Sequence, residues 1–253
     1  MKKLILHIPH SSKYIPNEVR DQFCISKEEV DNEILKMTDH FTDELFDLSD
    51  VSKVVYPISR LVLDPERFSD DELESMSKIG HGVVYKNTSS LTSLRRDISE
   101  LEKNNLINFY YIPHHHKLNK LAEEKLIVYG ECLVVDCHSF PKYTLPYELK
   151  INGNLERPEI CLGADEFHTS KLILENAYNL FSELGYYVSI NKPFTGTLIP
   201  GDYYQKNQKV QGLMIEIRRD LYMNEQTGGK IDNFEKLKKD LSFILSQLSD
   251  GLL

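Results

Sequence analysis

Six short apolar runs punctuate the chain, at residues 4–8, 54–58, 133–135, 160–162, 187–190 and 213–217, each rich in Val, Ile, Leu or Tyr. Runs this short and this apolar predict strands. Between them lie stretches with helical spacing. In residues 27–48, Val30, Ile34, Met37, Phe41, Leu45 and Leu48 recur at three- and four-residue steps, and similar patterns cover about 98–105, 118–129, 169–184 and 233–248. Strand and helix therefore alternate. Strands that are continuously apolar imply a sheet covered on both faces, so the pattern predicts a three-layer α/β architecture around a parallel or mixed sheet. With no repeat period and no Ser/Gly/Pro-rich linker, one domain over residues 1–253 is the simplest organisation. Ligands of such sheets sit beyond the carboxyl ends of the strands.

Composition narrows the classes of function. The 253 residues are 41% hydrophobic and 27% charged, a globular balance that excludes a disordered or collagen-like chain. Lys and Arg number 30 against 39 Asp and Glu, for a net charge of −9. That sign is wrong for neutralising phosphates, so neither nucleic acid nor an anionic membrane is expected as a partner. Cys24, Cys132, Cys137 and Cys161 form no C-x-x-C pair, which argues against a zinc ribbon or a disulfide framework and for reduced thiols in a cytoplasm. His7, Pro9 and His10 break the opening apolar run, and no stretch approaches the roughly 18–20 apolar residues of a bilayer span, so no targeting or membrane segment is expected. The pattern chooses no oligomeric state: the 233–248 helix could pack on the core or on a second copy.

Polar residues at the ends of two runs are chemically unusual. Residues 4–8 give way to Pro9-His10-Ser11-Ser12 and residues 133–135 to Asp136-Cys137-His138-Ser139, which places an imidazole where each strand leaves the sheet. Two such imidazoles could share a zinc ion, with Asp136 orienting a ring; each alone could equally cap its strand. A third ligand should be anionic. Asp39 is the first choice, with Asp43 one helical turn on as competitor and His40 less suited; a solvated acidic helix face is the plainer alternative. In the last run, a two-residue period turns Leu213, Ile215 and Ile217 one way and Met214, Glu216 and Arg218 the other. A carboxylate inside a covered strand must be compensated, so Glu216 is either paired with Arg218 or a proton-transfer group beside the metal. Arg60, Asp64, Glu66 and Arg67 surround a short apolar stretch. Guanidiniums there suit a substrate carboxylate or a developing oxyanion, and a charged surface loop is the alternative. In Pro113-His114-His115-His116, at most one or two side chains can point into one site.

Taken in order, these segments resemble the N-formylglutamate amidohydrolase family and, more distantly, the zinc carboxypeptidase and aspartoacylase group. The resemblance runs from about Leu4 to Asn224. It rests on Ile8-Pro9-His10-Ser11-Ser12, Thr38-Asp39-His40-Phe41-Thr42-Asp43, Ser59-Arg60-Leu61-Val62-Leu63-Asp64 with Glu66-Arg67, Tyr111-Ile112-Pro113-His114-His115 and Val135-Asp136-Cys137-His138-Ser139-Phe140. Arg157-Pro158-Glu159-Ile160-Cys161-Leu162-Gly163, Pro193-Phe194-Thr195-Gly196 and Ile215-Glu216-Ile217-Arg218-Arg219-Asp220 complete it. The resemblance implies a three-layer, phosphorylase/hydrolase-like α/β fold with a central mixed sheet flanked by helices, and zinc-dependent hydrolysis of an amide in a small acidic N-acyl amino acid, foremost N-formylglutamate. It implies His10 and His138 as metal ligands with Asp39 less directly, Glu216 as general base, Arg60 polarising the scissile carbonyl, and substrate contacts from Arg67, Asp64, Arg218, His115 and Thr195. Three positions depart from the related patterns: Ser12 stands for the usual Gly, Lys13 stands where the carboxypeptidase-like group has a glutamate ligand, and Glu66 stands where aspartoacylase-like sequences carry Asn. Another acylated amino acid as substrate, or a metal-free protein that binds acidic metabolites, are the alternatives.

Overall fold

Each apolar run contributes a strand in the computed structural model, which describes residues 2–153 and 156–250. The strands β1 (Leu4–Ile8), β2 (Ser52–Val55), β3 (Cys132–Phe140), β4 (Ile160–Gly163), β5 (Val188–Ile190) and β6 (Val210–Arg218) form one sheet in the order β2-β1-β3-β6-β4-β5. Neighbours are parallel except β4 and β6, which run antiparallel, so the sheet is mixed as expected. Seven helices accompany it among the described residues: α1 (Lys27–Met37), α2 (Thr42–Leu45), α3 (Glu100–Leu106), α4 (Ile112–Tyr129), α5 (Pro146–Asn152), α6 (Lys171–Glu183) and α7 (Phe234–Asp250).

The two faces of the sheet are covered differently, and the strand period decides which residue meets which layer. Leu4, Leu6 and Ile8, with Leu133, Val135 and Cys137 and with Leu213, Ile215 and Ile217, pack against α2, α6 and α7. On that side α7 buries Leu237, Leu241, Ile244, Leu245 and Leu248 almost completely. Each such side chain contributes about 1.5–3 kcal/mol relative to an exposed one. The alternate residues Ile5, Val54, Cys132, Val134 and Val210 meet Leu118 and Ala122 of α4. Towards the carboxyl ends of the strands this second face turns polar: His7, Asp136, His138 and Glu216 continue the same alternation. Pairing aligns His7 with Asp136 and His138 with Glu216 across neighbouring strands.

Two helical expectations are corrected. The pattern over 27–48 is not one helix. A capping box starts α1, with Ser26 Oγ accepting from the Glu29 amide and Glu29 accepting from the Ser26 amide, but α1 stops at Met37. There the Asp39 amide donates to His10 O at 3.0 Å, Thr42 Oγ1 donates to Asp39 O at 2.9 Å, and Phe41 adopts φ +63°. These tertiary hydrogen bonds override the apolar period and draw Asp39 off the helix into the interior. Conversely, the expected gap between 105 and 118 is helical. A π turn at Ile107–Tyr111 joins α3 to α4. Its wider spacing makes room for Pro113, which would clash with the preceding turn of a regular helix, and turns His114 and His115 inward.

Candidate active site

His10 follows β1, and its ring meets that of His138 from a strand neighbour. His138 is not beyond its strand, as the short apolar run suggested, because β3 continues through Phe140. The Nδ1 atoms of His10 and His138 lie 3.3 Å apart, and Asp39 Oδ2 lies 3.6 Å from the first and 3.2 Å from the second. All three side chains are buried. Three donors around a tetrahedral ion with bonds of about 2.0–2.1 Å are separated by about 3.3 Å, so this triangle has the dimensions of a zinc ligand set. The outer ring nitrogens are held by carboxylates: His10 Nε2 is 2.8 Å from Asp64 Oδ1, and His138 Nε2 is hydrogen-bonded to Glu66 Oε1 at 3.1 Å, with Asp136 Oδ1 at the same distance. That arrangement leaves the Nδ1 lone pairs to face each other.

Glu66 is the other carboxylate that could complete a set with the two histidines. It approaches from the opposite side, as the hydrogen-bond partner of His138 Nε2 at 3.1 Å and at 3.8 Å from His10 Nε2, which Asp64 holds. Asp43 is exposed and lies outside the cluster. The histidines' own chemistry fits a cation. Burial and Arg60 push His10 towards the neutral form, yet Asp64 and Asp39 outweigh them and raise its pKa. Burial opposes protonation of His138 too, but Glu66 and Asp136 raise it well above its ordinary value. Despite burial, hydrogen bonds from both histidines and the charge of Arg219 hold Asp39 well below the usual carboxylate range. Buried positive charge is thus favoured here, and a divalent ion can replace the protons that the imidazoles otherwise carry.

The cluster forms the floor of a cavity of about 800 Å³, whose wall includes Arg60, Arg67, His115, Thr195, Glu216 and Arg219. Glu216 projects into it from β6, and Oε2 has no hydrogen-bond partner among the described residues. Burial, aided by Asp39 and Glu66, pushes its pKa up to about 8 against the opposing charge of His138. Arg60 is anchored by Asp64 Oδ2 at 2.9 Å and by the Tyr85 hydroxyl at 3.2 Å. Arg67 Nε has no hydrogen-bond partner among the described residues and lies 3.9 Å from Asp64. His115 is fixed by the Pro65 carbonyl, 2.8 Å from Nε2. Burial lowers its pKa to about 4, so it is neutral near pH 7.

Two expected substrate contacts take other places. Asp64 is fully buried behind the cavity, where its carboxylate is held by His10, Arg60 and the Tyr85 hydroxyl at 2.7 Å. It orients protein groups and does not line the cavity. Arg218 neither lines the cavity nor pairs with Glu216: its Nε donates to Asp220 at 2.7 Å and its Nη1 to the Arg157 carbonyl at 2.9 Å. The next residue, Arg219, lines the cavity in its place, beside Arg60 and Arg67. It grips Asp39 Oδ1 at 2.9 Å and Ser139 Oγ at 3.2 Å, turned inward by a short 3₁₀ turn at Arg219–Leu221. Alternation along the strand could not reveal it, because the strand ends at Arg218.

A sequence profile of the N-formylglutamate amidohydrolase family matches residues 2–223. Among solved structures, the crystal structure of N-formylglutamate amidohydrolase from Ralstonia eutropha JMP134 superposes with a TM-score of 0.86 at 22% identity, covering 99% of this chain and 94% of that one. A gene product from Agrobacterium tumefaciens superposes with a TM-score of 0.64 at 19% identity, covering 98% of this chain and 92% of its own. At such identities these likenesses establish the fold. No curated protein matches the sequence. The profile match spans every segment that contributes to the cavity floor, from His10 to Arg219, and the chain belongs to the N-formylglutamate amidohydrolase family.

Proposed function

We propose that this chain hydrolyses the amide of N-formyl-L-glutamate to formate and L-glutamate, with a divalent cation, foremost zinc, held by His10 Nδ1, Asp39 Oδ2 and His138 Nδ1. The observation that carries the reading is the triangle of these three atoms, with sides of 3.2, 3.3 and 3.6 Å, at the floor of a cavity lined by the guanidiniums of Arg60, Arg67 and Arg219. When bound, the cation supplies Lewis-acid polarisation and eases deprotonation of water. Glu216, whose Oε2 has no partner among the described residues, takes the proton of the attacking water and returns it to the departing nitrogen. Arg60, fixed by Asp64 and Tyr85, donates to the oxygen that becomes anionic in the tetrahedral intermediate. Arg67 holds a substrate carboxylate, Thr195 and neutral His115 border the same space, and Arg219 fixes the carboxylate of Asp39.

The size of the cavity, together with apolar Phe140, Leu145 and Phe194 in its wall, favours a second reading in which another acylated amino acid is the substrate. The four thiols fit a reducing compartment such as the cytoplasm: all are free. Among the described residues no helix is long and apolar enough to cross a membrane. The test is release of formate from N-formylglutamate, with and without added zinc, beside a panel of N-acyl amino acids scored for free amine. Zinc-stimulated formate release with preference for N-formylglutamate supports the first reading. Equal or better turnover of larger acyl groups supports the second, and no turnover of any amide with one bound ion contradicts both.

A further inference from the structure

Two imidazoles that the proposed chemistry does not use stand behind the cavity floor. His7 in β1 and His114 in the first turn of α4 are both buried. His7 Nδ1 lies 2.8 Å from Asp136 Oδ1, and His7 Nε2 lies 2.8 Å from His114 Nε2. Asp136 Oδ1 also lies 3.1 Å from His138 Nε2, which hydrogen-bonds Glu66 Oε1 at the same distance, and Asp136 Oδ2 accepts from the Leu198 amide at 3.0 Å. The result is a buried chain, His114 to His7 to Asp136 to His138, ending on a cation ligand.

His7, Asp136 and Glu66 are close enough to be considered as a second metal set. The distances argue otherwise. A separation of 2.8 Å between His7 Nδ1 and Asp136 Oδ1 is that of a hydrogen bond, shorter than the edge of about 3.3 Å between two donors on one tetrahedral ion, whereas Glu66 Oε1 stands off at 3.7 Å.

Proton placement then follows along the chain. An ionised Asp136 can only accept, so the His7 ring carries a proton on Nδ1. Burial and the neighbouring His7 and His115 hold His114 neutral, and its Nε2 meets His7 Nε2 at hydrogen-bond distance. Asp136, pinned by His7 and by the Leu198 amide, stands beside Glu66 at the Nε2 side of His138. We propose that His7 and His114 are positioning residues that hold the Asp136 carboxylate against the Nε2 side of His138, so that the Nδ1 lone pair of His138 faces His10 and Asp39. This rests on the reading of His10, Asp39 and His138 as cation ligands.

The test compares His7→Leu, which removes the donor to Asp136, with His7→Asn, whose amide N–H stands near the position of Nδ1–H, in zinc affinity measured by chelator competition. Loss of a partner behind a ligand typically weakens metal binding about 10- to 100-fold, which is the effect expected for His7→Leu, with His7→Asn close to wild type. His114→Gln against His114→Leu repeats the comparison one bond further out, and decides the matter if His7→Leu does not fold. Ring ¹⁵N spectra of the zinc-loaded wild type should show His7 protonated at Nδ1 and His138 at Nε2. Wild-type affinity in both leucine variants, equal losses in the rescuing and non-rescuing variants, or a His7 ring without a proton on Nδ1 overturns the inference alone. A wild-type protein that binds no divalent ion overturns the ligand reading and this inference with it.

Discussion

Replacing Glu216 by Gln separates the catalytic demand on this residue from its cost to the fold. The amide keeps the size of the side chain and removes the proton acceptor. Loss of a general base costs about 10²–10⁴ in rate, or about 3–5 kcal/mol of transition-state stabilisation. Stability should move the other way. In the metal-free protein Glu216 has a pKa raised from 4.5 to about 8, chiefly by burial. The unfolded chain therefore releases this proton first, and stability is lost as pH rises from about 4.5 towards 8. Over the 4.5 to 7 interval this amounts to on the order of 3 kcal/mol. A glutamine does not titrate, so chelated Glu216→Gln should be the more stable protein at pH 7 and should gain little advantage at pH 4.5. Urea unfolding of both proteins at the two pH values measures this, and formate release under saturating zinc measures the rate. Near-normal turnover in the variant removes Glu216 from proton transfer, and identical pH dependence of stability in the two proteins refutes the argument from burial.

Asp39→Asn should weaken zinc binding by more than the roughly 10- to 100-fold typical of an outer partner, whereas Asp43→Asn, at an exposed position, should retain wild-type metal content; equal zinc in both variants by elemental analysis would falsify the assignment. Arg67→Ala removes a charge-assisted hydrogen bond worth about 1.5–3 kcal/mol, so KM for N-formylglutamate should rise about 10- to 100-fold with kcat little changed, and an unchanged KM counts against a carboxylate contact. His81 is fully buried, and burial lowers its pKa from 6.5 to about 4. The unfolded chain takes up this proton first, so stability is complete above about pH 6.5 and falls by on the order of 3 kcal/mol as pH drops towards 4. His81→Gln should flatten that acid limb in urea unfolding, and an unchanged limb contradicts this origin.

The sheet was legible because its signal is local. A covered parallel strand is an apolar run, and a period of two placed Glu216 on the cavity side while sending Ile215 and Ile217 to the core. The same rule stopped working one residue beyond β6, where it pointed to Arg218 and the turn instead delivers Arg219. Asp39 was chosen for its charge, but the uninterrupted helix assumed around it put the residue on the wet side. The break at Met37 depends on hydrogen bonds to His10 and Thr42 that no periodicity encodes. Asp64 illustrates the limit most clearly. The resemblance made it a substrate contact, whereas its deciding partner, His10, is 54 residues away in sequence. His7 was read only as a break in the opening apolar run, because only the pairing of β1 with β3 reveals the Asp136 beside it.

The central claim is that His10, Asp39 and His138 hold one divalent ion through the atoms that now face each other. Anomalous diffraction at the zinc edge, from crystals grown with zinc, locates that ion directly. The account predicts a single peak about 2 Å from His10 Nδ1, Asp39 Oδ2 and His138 Nδ1. A peak on the opposite side of the rings, bound by Glu66 and the Nε2 atoms, or no peak in this cavity, would contradict it.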